Sequence, residues 1–439
     1  MHMHVAGVSV LEPREDGSLT YDDVQRVVEK RMHLAPRLRQ RVQSVPGNLS
    51  RPLWVDDARF DLDFHLRRSA LPHPGGRLQL ERAVGRVLSR PLDRAKPLWE
   101  LYVFEGLDAG RTAVLLKLHH ALADGISGML VASALFDLEP DAPLGSTEQP
   151  WVPDAVPGSP ELVRDAVTEL VRHPTTAVAH AVRAPSRVLS DAADLIEGVR
   201  LLVGLGSPPH GPFDVKIGPA RRFAVADVPF EQVRDVKSRL GGTVNDVVLA
   251  GVAGGLNALL EARGEGTKGR TLRAMVPVSV RSRAERGDVG NRIAPTFVDI
   301  PVDTMAPRTR LRAVRAATKL LKESSLAVGA DTIIGLGAYA PPALLATAAR
   351  LVSRGRWFNL VVSNVPAPQV PLYLAGARLV ASYPAMPLGE NCGLSIACTS
   401  LGGTMAFGLT ADWDAVPDIE VLARGIESSI DRLAAPSRH

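Results

Sequence analysis

Cysteine is almost missing from this 439-residue chain: there are two, Cys392 and Cys398. No CxxC pair occurs, so a disulfide framework is excluded in practice, and a reducing cytoplasm is the expected setting. Their even spacing would put both thiols on one face of a strand, too far apart along it to bond easily. Aromatic residues are also scarce, at 5%, and show no RNA-binding signature. No charge sign dominates: 51 basic residues face 47 acidic ones, a formal net of +4, and the arginines are scattered. That pattern sets nucleic acid aside as a partner. No apolar run of about 18 residues is seen, so no transmembrane span is expected. The opening, MHMHVAGVSVLEP, lacks the basic and apolar regions of a signal peptide. Its His2 and His4 read as incidental rather than as metal ligands.

What is present is an ordinary globular balance, 46% hydrophobic and 22% charged, on a chain long enough for two or three domains with a real core. VAGVSVLEP reads as a first strand. Thr20 and Asp23 resemble a capping box ahead of Val24, Val27, Val28 and Met32 at helical spacing. Leu80, Val84, Val87 and Leu88 mark another helix, and RTAVLLKLHH is a strand apolar enough to lie inside a sheet. The segment from Ile126 to Leu135 looks helical. Composition then turns rich in Pro, Gly, Ser and acidic residues, marking a boundary, and residues 161–205 regain helical periodicity. A second block opens near Phe213, giving expected bounds of 1–140, 141–212 and 213–439. In it, Phe230 to Leu240 and a segment capped by Thr243 and Asp246 read as helices. TLRAMVPVSV, IAPTFVDIPV, WFNLVVSNVP, LSIACTS and TMAFGLT read as strands, with a helix around Leu311–Leu321. The mixture predicts an α/β or α+β architecture in both blocks.

The chemical signal is KLHHALADGISG at 117–128. A buried strand ends in His119 and His120, and Asp124 and Gly125 follow. By strand alternation the two imidazoles point to opposite sides, so they do not share one task. A neutral imidazole on a rigid strand end can take a proton from a hydroxyl. Asp124 could orient a histidine or brace the loop against an arginine. A structural role and a metal site are the competing readings of the same residues. Other chemistries lack their motifs: there is no GxSxG elbow, no GxGxxG after a strand and no GxxxxGK[ST].

HHALADG resembles the HHxxxDG motif of the bacterial wax ester synthase/acyl-CoA:diacylglycerol acyltransferase family. That family sits in the superfamily of chloramphenicol acetyltransferase and peptide-synthetase condensation domains. Pro97–Leu98–Trp99, NDVVLA from Asn245, VPVSVR ending at Arg281, Gly290–Asn291 and SNVPAP from Ser363 resemble further family elements, in the family's order.

The resemblance implies a two-domain chloramphenicol acetyltransferase-like α/β fold with a tunnel at the domain junction. It makes His120 the catalytic base and Asp124 a bracing aspartate, with Arg281 a possible partner. Asn245 and Asp246 would lie near the active site. His119, Gly125, Trp99, Asn291, Ser363 and Asn364 would support the motifs or the substrate. Taken singly, Trp99 also reads as a core residue, Asp246 as a helix cap, and Ser363 and Asn364 as a turn before Pro366. The implied reaction moves a fatty acyl group from acyl-CoA, a co-substrate, to diacylglycerol or a long-chain alcohol. No resident cofactor or metal is implied. The protein would be cytoplasmic and peripheral at membranes or lipid droplets, with 161–205 a candidate contact. Alternatives are another hydroxyl acceptor, of polyketide or peptide type, or a degenerate lipid-binding relative. Two departures bear on activity: the family's usual segment before MHVAGVSV is not seen, and Ala367 stands where the family has glycine, which would strain a left-handed backbone.

Overall fold

A computed structural model describes residues 3–122, 135–145, 151–172, 206–279, 293–323 and 355–435. The first block supplies β1 (His4–Leu11), α1 (Tyr21–Arg31), β2 (Gln40–Gln43), β3 (Leu53–Asp56), α2 (Leu62–His65), β4 (Leu66–Ala70), α3 (Arg77–Ser89), β5 (Trp99–Glu105) and β6 (Thr112–His119). Helix α4 (Ser159–Arg172) follows. The second block supplies β7 (Arg221–Pro229), α5 (Phe230–Leu240), α6 (Val244–Ala262), β8 (Thr271–Ser279), β9 (Ile293–Pro301), α7 (Pro307–Glu323), β10 (Leu360–Pro366), β11 (Tyr373–Leu374), β12 (Ala377–Ala385), β13 (Leu394–Leu401), β14 (Thr404–Asp412) and α8 (Ile419–Ala434). The expected helix at 126–135 lies almost wholly outside the described residues, as does most of the 161–205 segment beyond α4.

Two six-stranded sheets organise these elements. The first has the order β11-β12-β1-β6-β5-β4 and the second β7-β14-β13-β10-β8-β9. Sheet membership departs from contiguous blocks 1–140 and 213–439, because residues 373–385 belong to the first sheet. There β12 runs antiparallel to β1, with Ala6 opposite Ala385 and Val8 opposite Tyr383. The sequence hides this strand: ARLVASYPA carries Pro384, which ordinarily argues against a strand interior, and pairing with a distant partner leaves no local mark.

Local chemistry explains the helix starts. Thr20 caps α1 and Thr243 caps α6, each in a closed capping box with the aspartate three residues on. Helix α6 has 19 residues and is apolar enough by length and composition to cross a bilayer. It lies instead in the core of the second unit, where Val248, Val252, Leu256 and Leu259 are fully buried. It packs closely on α8: a Cβ on Gly255 would come within 2.7 Å of the Ile426 side chain and 3.0 Å of the Leu422 carbonyl.

The two sheets meet through a shared apolar layer. Val8, Val10, Leu115 and Tyr383 from the first join Phe223, Val225 and Ala406 from the second, with Val84 and Val87 of α3 between. Polar contacts fix the alignment. Tyr383 donates its hydroxyl to Asp227 at 3.0 Å, the Val225 N–H donates to Glu81 at 2.9 Å, and the Arg221 N–H donates to Ser89 Oγ at 2.8 Å.

At one point the two backbones nearly touch. A Cβ on Gly408 of β14 would overlap the Pro384 carbonyl oxygen of β12. Gly408→Ala should therefore push the sheets apart and cost about 1–3 kcal/mol, the usual range for overpacking, read as a fall in Tm. Gly7→Ala is the control, because a methyl there meets nothing within 4 Å. Equal Tm values for the two variants would contradict the close crossing.

Candidate active site

The paired histidines sit where β6 ends, and strands on both sides hold their backbone. The His119 N–H donates to the Leu98 carbonyl at 2.9 Å, and the His120 N–H donates to the Met3 carbonyl at 2.7 Å. The chain then turns, with the Leu122 N–H donating to the His119 carbonyl at 2.8 Å. His119 faces His4 across the β1–β6 register, and the two rings meet edge to face at 6.3 Å. His4 is therefore no incidental terminal histidine: it is buried, and its Nε2 accepts the Leu92 N–H at 3.4 Å.

The two imidazoles differ in what they can do. His119 is half-buried, and its Nδ1 accepts the Ala121 N–H at 3.1 Å. The neutral ring must then carry its proton on Nε2, so its one basic nitrogen is already spent. Burial first, then the charges of Arg94 and His120, hold its pKa below the ordinary histidine value. His120 lies one residue further on, in the turn, with its side chain exposed.

The Pro97–Leu98–Trp99 element acts through its backbone and its packing. Leu98 supplies the acceptor for His119. Trp99 opens β5 opposite Leu118, is buried, and donates its indole N–H to the Leu38 carbonyl at 2.7 Å. His65 stacks on the indole at 4.5 Å, and its Nδ1 bonds the Trp99 carbonyl at 2.8 Å. Trp99 is thus a core residue bracing the histidine strand.

Two residues before His119, and so on its face of the strand, Lys117 is fully buried. Its ammonium donates to the carbonyls of Val87 at 3.0 Å and Arg90 at 2.6 Å and lies 3.5 Å from Glu100. It thereby ties the end of α3 to the motif strand. The sequence signal for this clamp is a lysine inside the apolar run RTAVLLKLHH. For the supporting backbone of Met3 and Leu98 no side-chain signal exists.

On the second unit, Asn245 is half-buried in the first turn of α6. Asp246 is buried, and its carboxylate is fully engaged. One oxygen accepts the Thr243 N–H at 2.7 Å and the Thr243 hydroxyl at 2.9 Å. The other accepts the Thr318 hydroxyl at 2.7 Å, joining α6 to α7. Asp246 is a cap and a tether. Ser363 and Asn364 belong to the expected strand WFNLVVSNVP, not to the alternative turn before Pro366. Both lie in β10, beside Ala397 and Cys398 of β13, because the apolar run Leu360–Val362 carries the strand onward. Cys398 lies within β13, whereas Cys392 precedes that strand; both are buried free thiols. Among the described residues, positive φ outside glycine occurs at Ala109 and Ala375, so Ala367 escapes the expected strain. Asp124, Gly125, Arg281 and Asn291 lie outside the described residues.

The described residues form two α/β units whose six-stranded sheets abut, with the histidine pair at the end of β6, and the matches below make this an acyltransferase. The chain belongs to the wax ester synthase/diacylglycerol acyltransferase family: residues 1–248 match its catalytic domain and residues 289–434 its C-terminal domain. A putative diacylglycerol O-acyltransferase of Mycobacterium tuberculosis (strain CDC 1551) is 33% identical over 426 residues, 95% of this chain and 83% of that protein. A second, of Mycobacterium bovis, is 33% identical over 440 residues, 98% of this chain and 94% of that protein. Among solved structures, the wax ester synthase/diacylglycerol acyltransferase from Marinobacter aquaeolei VT8 superposes with a TM-score of 0.68 at 26% identity, covering 98% of this chain and 94% of that one. The starter condensation domain of rhizomide synthetase shares the fold, with a TM-score of 0.56 at 12% identity, covering 99% of this chain and 89% of that one. The protein is an acyltransferase of lipid biosynthesis.

Burial dominates the lowered pKa of His65, opposed by its bond to the Trp99 carbonyl, and its Nε2 is buried without a partner. Folding therefore favours the neutral ring. The sign follows: the stabilisation is present above the unfolded value near 6.5 and is lost as pH falls through the lower folded value. Tm should drop on acidification from about pH 6.5, and His65→Phe should flatten that limb by removing the titrating group. A variant with the parent's acid limb would assign it elsewhere.

Proposed function

We propose that the protein transfers a long-chain fatty acyl group from acyl-CoA to diacylglycerol or a long-chain alcohol, with His120 as general base. The observation that carries this reading is the asymmetry of the histidine pair. The Ala121 N–H occupies the basic nitrogen of His119, whereas His120 stands exposed on a backbone clamped from both sides. A general base needs both a fixed position and a free lone pair.

In the proposed reaction His120 takes the proton of the acceptor hydroxyl. The oxygen attacks the thioester carbonyl, a tetrahedral intermediate forms, and its collapse expels the CoA thiolate, to which the proton on His120 passes. Asn245, or a backbone N–H, would donate to the developing oxyanion. Asp124 would brace the motif loop, with Arg281 as its candidate partner and Gly125 permitting the turn. The substrates would meet in a tunnel at the junction of the two units, acyl-CoA entering from one side and the alcohol from the other. No covalent acyl-enzyme is required, and acyl-CoA acts as a co-substrate. The acceptor partitions into lipid, so the protein would work from the cytoplasm at a membrane or lipid-droplet surface. Val167 and Arg164, both exposed on α4, suit such a contact. The names of the mycobacterial relatives favour diacylglycerol, and that of the Marinobacter enzyme admits both acceptors.

Ester product from palmitoyl-CoA with dioleoylglycerol or hexadecanol is the test, on samples matched for folded fraction. His120→Ala should lose about 10²-fold or more in turnover. His119→Asn, whose amide oxygen can still accept the Ala121 N–H, should keep more activity than His119→Ala. Near-parent turnover by His120→Ala would overturn the proposed mechanism, and the reverse ranking of the two His119 variants would overturn the role given to that ring.

A further inference from the structure

An open groove of about 450 Å³ lies between the start of α6 and the side of α7. Gly242, Thr243 and Asp246 line one wall, and Arg312, Arg315, Ala316, Thr318 and Lys319 the other. The wall residues carry three cations against one carboxylate. The carboxylate of Asp246, bonded to Thr243 and Thr318, keeps its charge and offsets one cation, which leaves the wall residues a formal net of +2 (three cations less one carboxylate).

The cations are arranged in depth. Arg315 is half-buried, and one of its terminal nitrogens donates to the Leu240 carbonyl at 2.7 Å. This bond holds the guanidinium against Gly241 and Gly242, where a Cβ would approach its atoms within 3.0–3.4 Å. Arg312 and Lys319 stand exposed at the rim. The helix bearing them is basic as a whole: PRTRLRAVRAATKLLKE has six cationic residues and a single acidic one, Glu323. A surface helix placed only for solubility would mix both signs along its exposed face.

We infer that this groove binds the phosphate groups of the CoA moiety of the acyl donor. The inference rests on the acyl-CoA reading above and extends it to a site that lies on the second unit. Guanidinium groups suit paired phosphate oxygens, and a lysine adds a point charge. The volume exceeds that of a lone phosphate and accommodates a phosphorylated nucleotide end. The positive end of α6 adds to the same field. A phospholipid headgroup offers the same chemistry, so the test must separate the two sources.

The probes are CoA and pantetheine, which lacks every phosphate, titrated against the parent protein and the Arg312→Ala/Lys319→Ala double variant. Both substituted side chains are exposed, and Tm checks the fold. CoA should bind the variant at least about tenfold more weakly, the scale for losing charge-assisted bonds. Pantetheine should bind both proteins alike. The CoA affinity of the parent should fall with added salt, more steeply than that of the variant. Should the variant fail to fold, CoA should still shield Lys319 of the parent from amine acetylation, mapped by mass spectrometry, where pantetheine does not. Unchanged CoA affinity in a folded variant, or absence of that shielding, overturns the inference. Loss of flotation with phosphatidylglycerol vesicles, at unchanged CoA affinity, would assign the groove to a lipid headgroup instead. These titrations need no turnover, so an inactive enzyme that binds CoA through the groove would refute the proposed reaction and leave this inference standing.

Discussion

The position of the histidine pair depends on two backbone hydrogen bonds of opposite origin. Leu98 holds His119 from one side and Met3 holds His120 from the other. A turn leaving a sheet edge would ordinarily let its first residues vary, since loops carry the mobility of a fold. Here β6 is an interior strand, flanked by β1 and β5, and its pairing extends to its last residue. The motif loop therefore departs from a fixed point. Rigid placement of a reactive group is worth large factors in rate, because the entropy of alignment is met during folding rather than at each turnover.

Everything beneath that point serves to hold β6 against its neighbours. Trp99 fills the layer under one side and is itself pinned through its indole to Leu38. On the other side Lys117 reaches the last carbonyls of α3. A buried ammonium is costly unless its donors are met. Burial lowers its pKa while the neighbouring Glu100 opposes that effect. The two carbonyls and the carboxylate together make the charge tolerable. Because α3 also forms the layer between the two sheets, one side chain links the histidine strand to the interface with the second unit. Glu81 on α3 completes the connection by accepting the Val225 N–H of β7.

The sequence disclosed those features that local chemistry repeats. Both capping boxes were legible, because Thr20 with Asp23 and Thr243 with Asp246 carry the needed side chains at the needed spacing. The apolar strands β6, β8, β9, β10, β13 and β14 were legible from composition. The histidine motif was legible as a strand end, and the order of the other elements as family. What stayed hidden was non-local. Strand β12 joins the first sheet from the far end of the chain, and neither its pairing with β1 nor the approach of Pro384 to Gly408 leaves a mark in a window of ten residues. Helix α8 is different, since Ile419, Leu422, Ile426, Ile430 and Leu433 recur at helical spacing and leave a local signal. At Ser363–Asn364 strand and turn are competing readings, and the valines on either side carry the strand through to Pro366. Proline lacks a donor, yet it can occupy the last residue of a strand, where no further pairing is asked of it.

The strand taken from 377–385 also constrains how the two units can move. Two bodies joined only through a linker can rock about it. Here β12 is hydrogen-bonded into the first sheet through β1, while the chain on either side of it returns to the second sheet through β10 and β13. Ser395 in β13 donates to the Met386 carbonyl at 3.1 Å just past the end of β12, and Tyr383 within it reaches Asp227 of β7. Opening the units as rigid bodies would have to break these contacts and expose the apolar layer around Val8, Leu115 and Phe223. At about 25 cal/mol per Å² of apolar surface, even a modest gap is expensive. Movement at the junction is therefore expected in loops and side chains, with the sheets kept in register. The proposed general base lies on the first unit and the proposed donor groove on the second, and the exchanged strand ties those two units together.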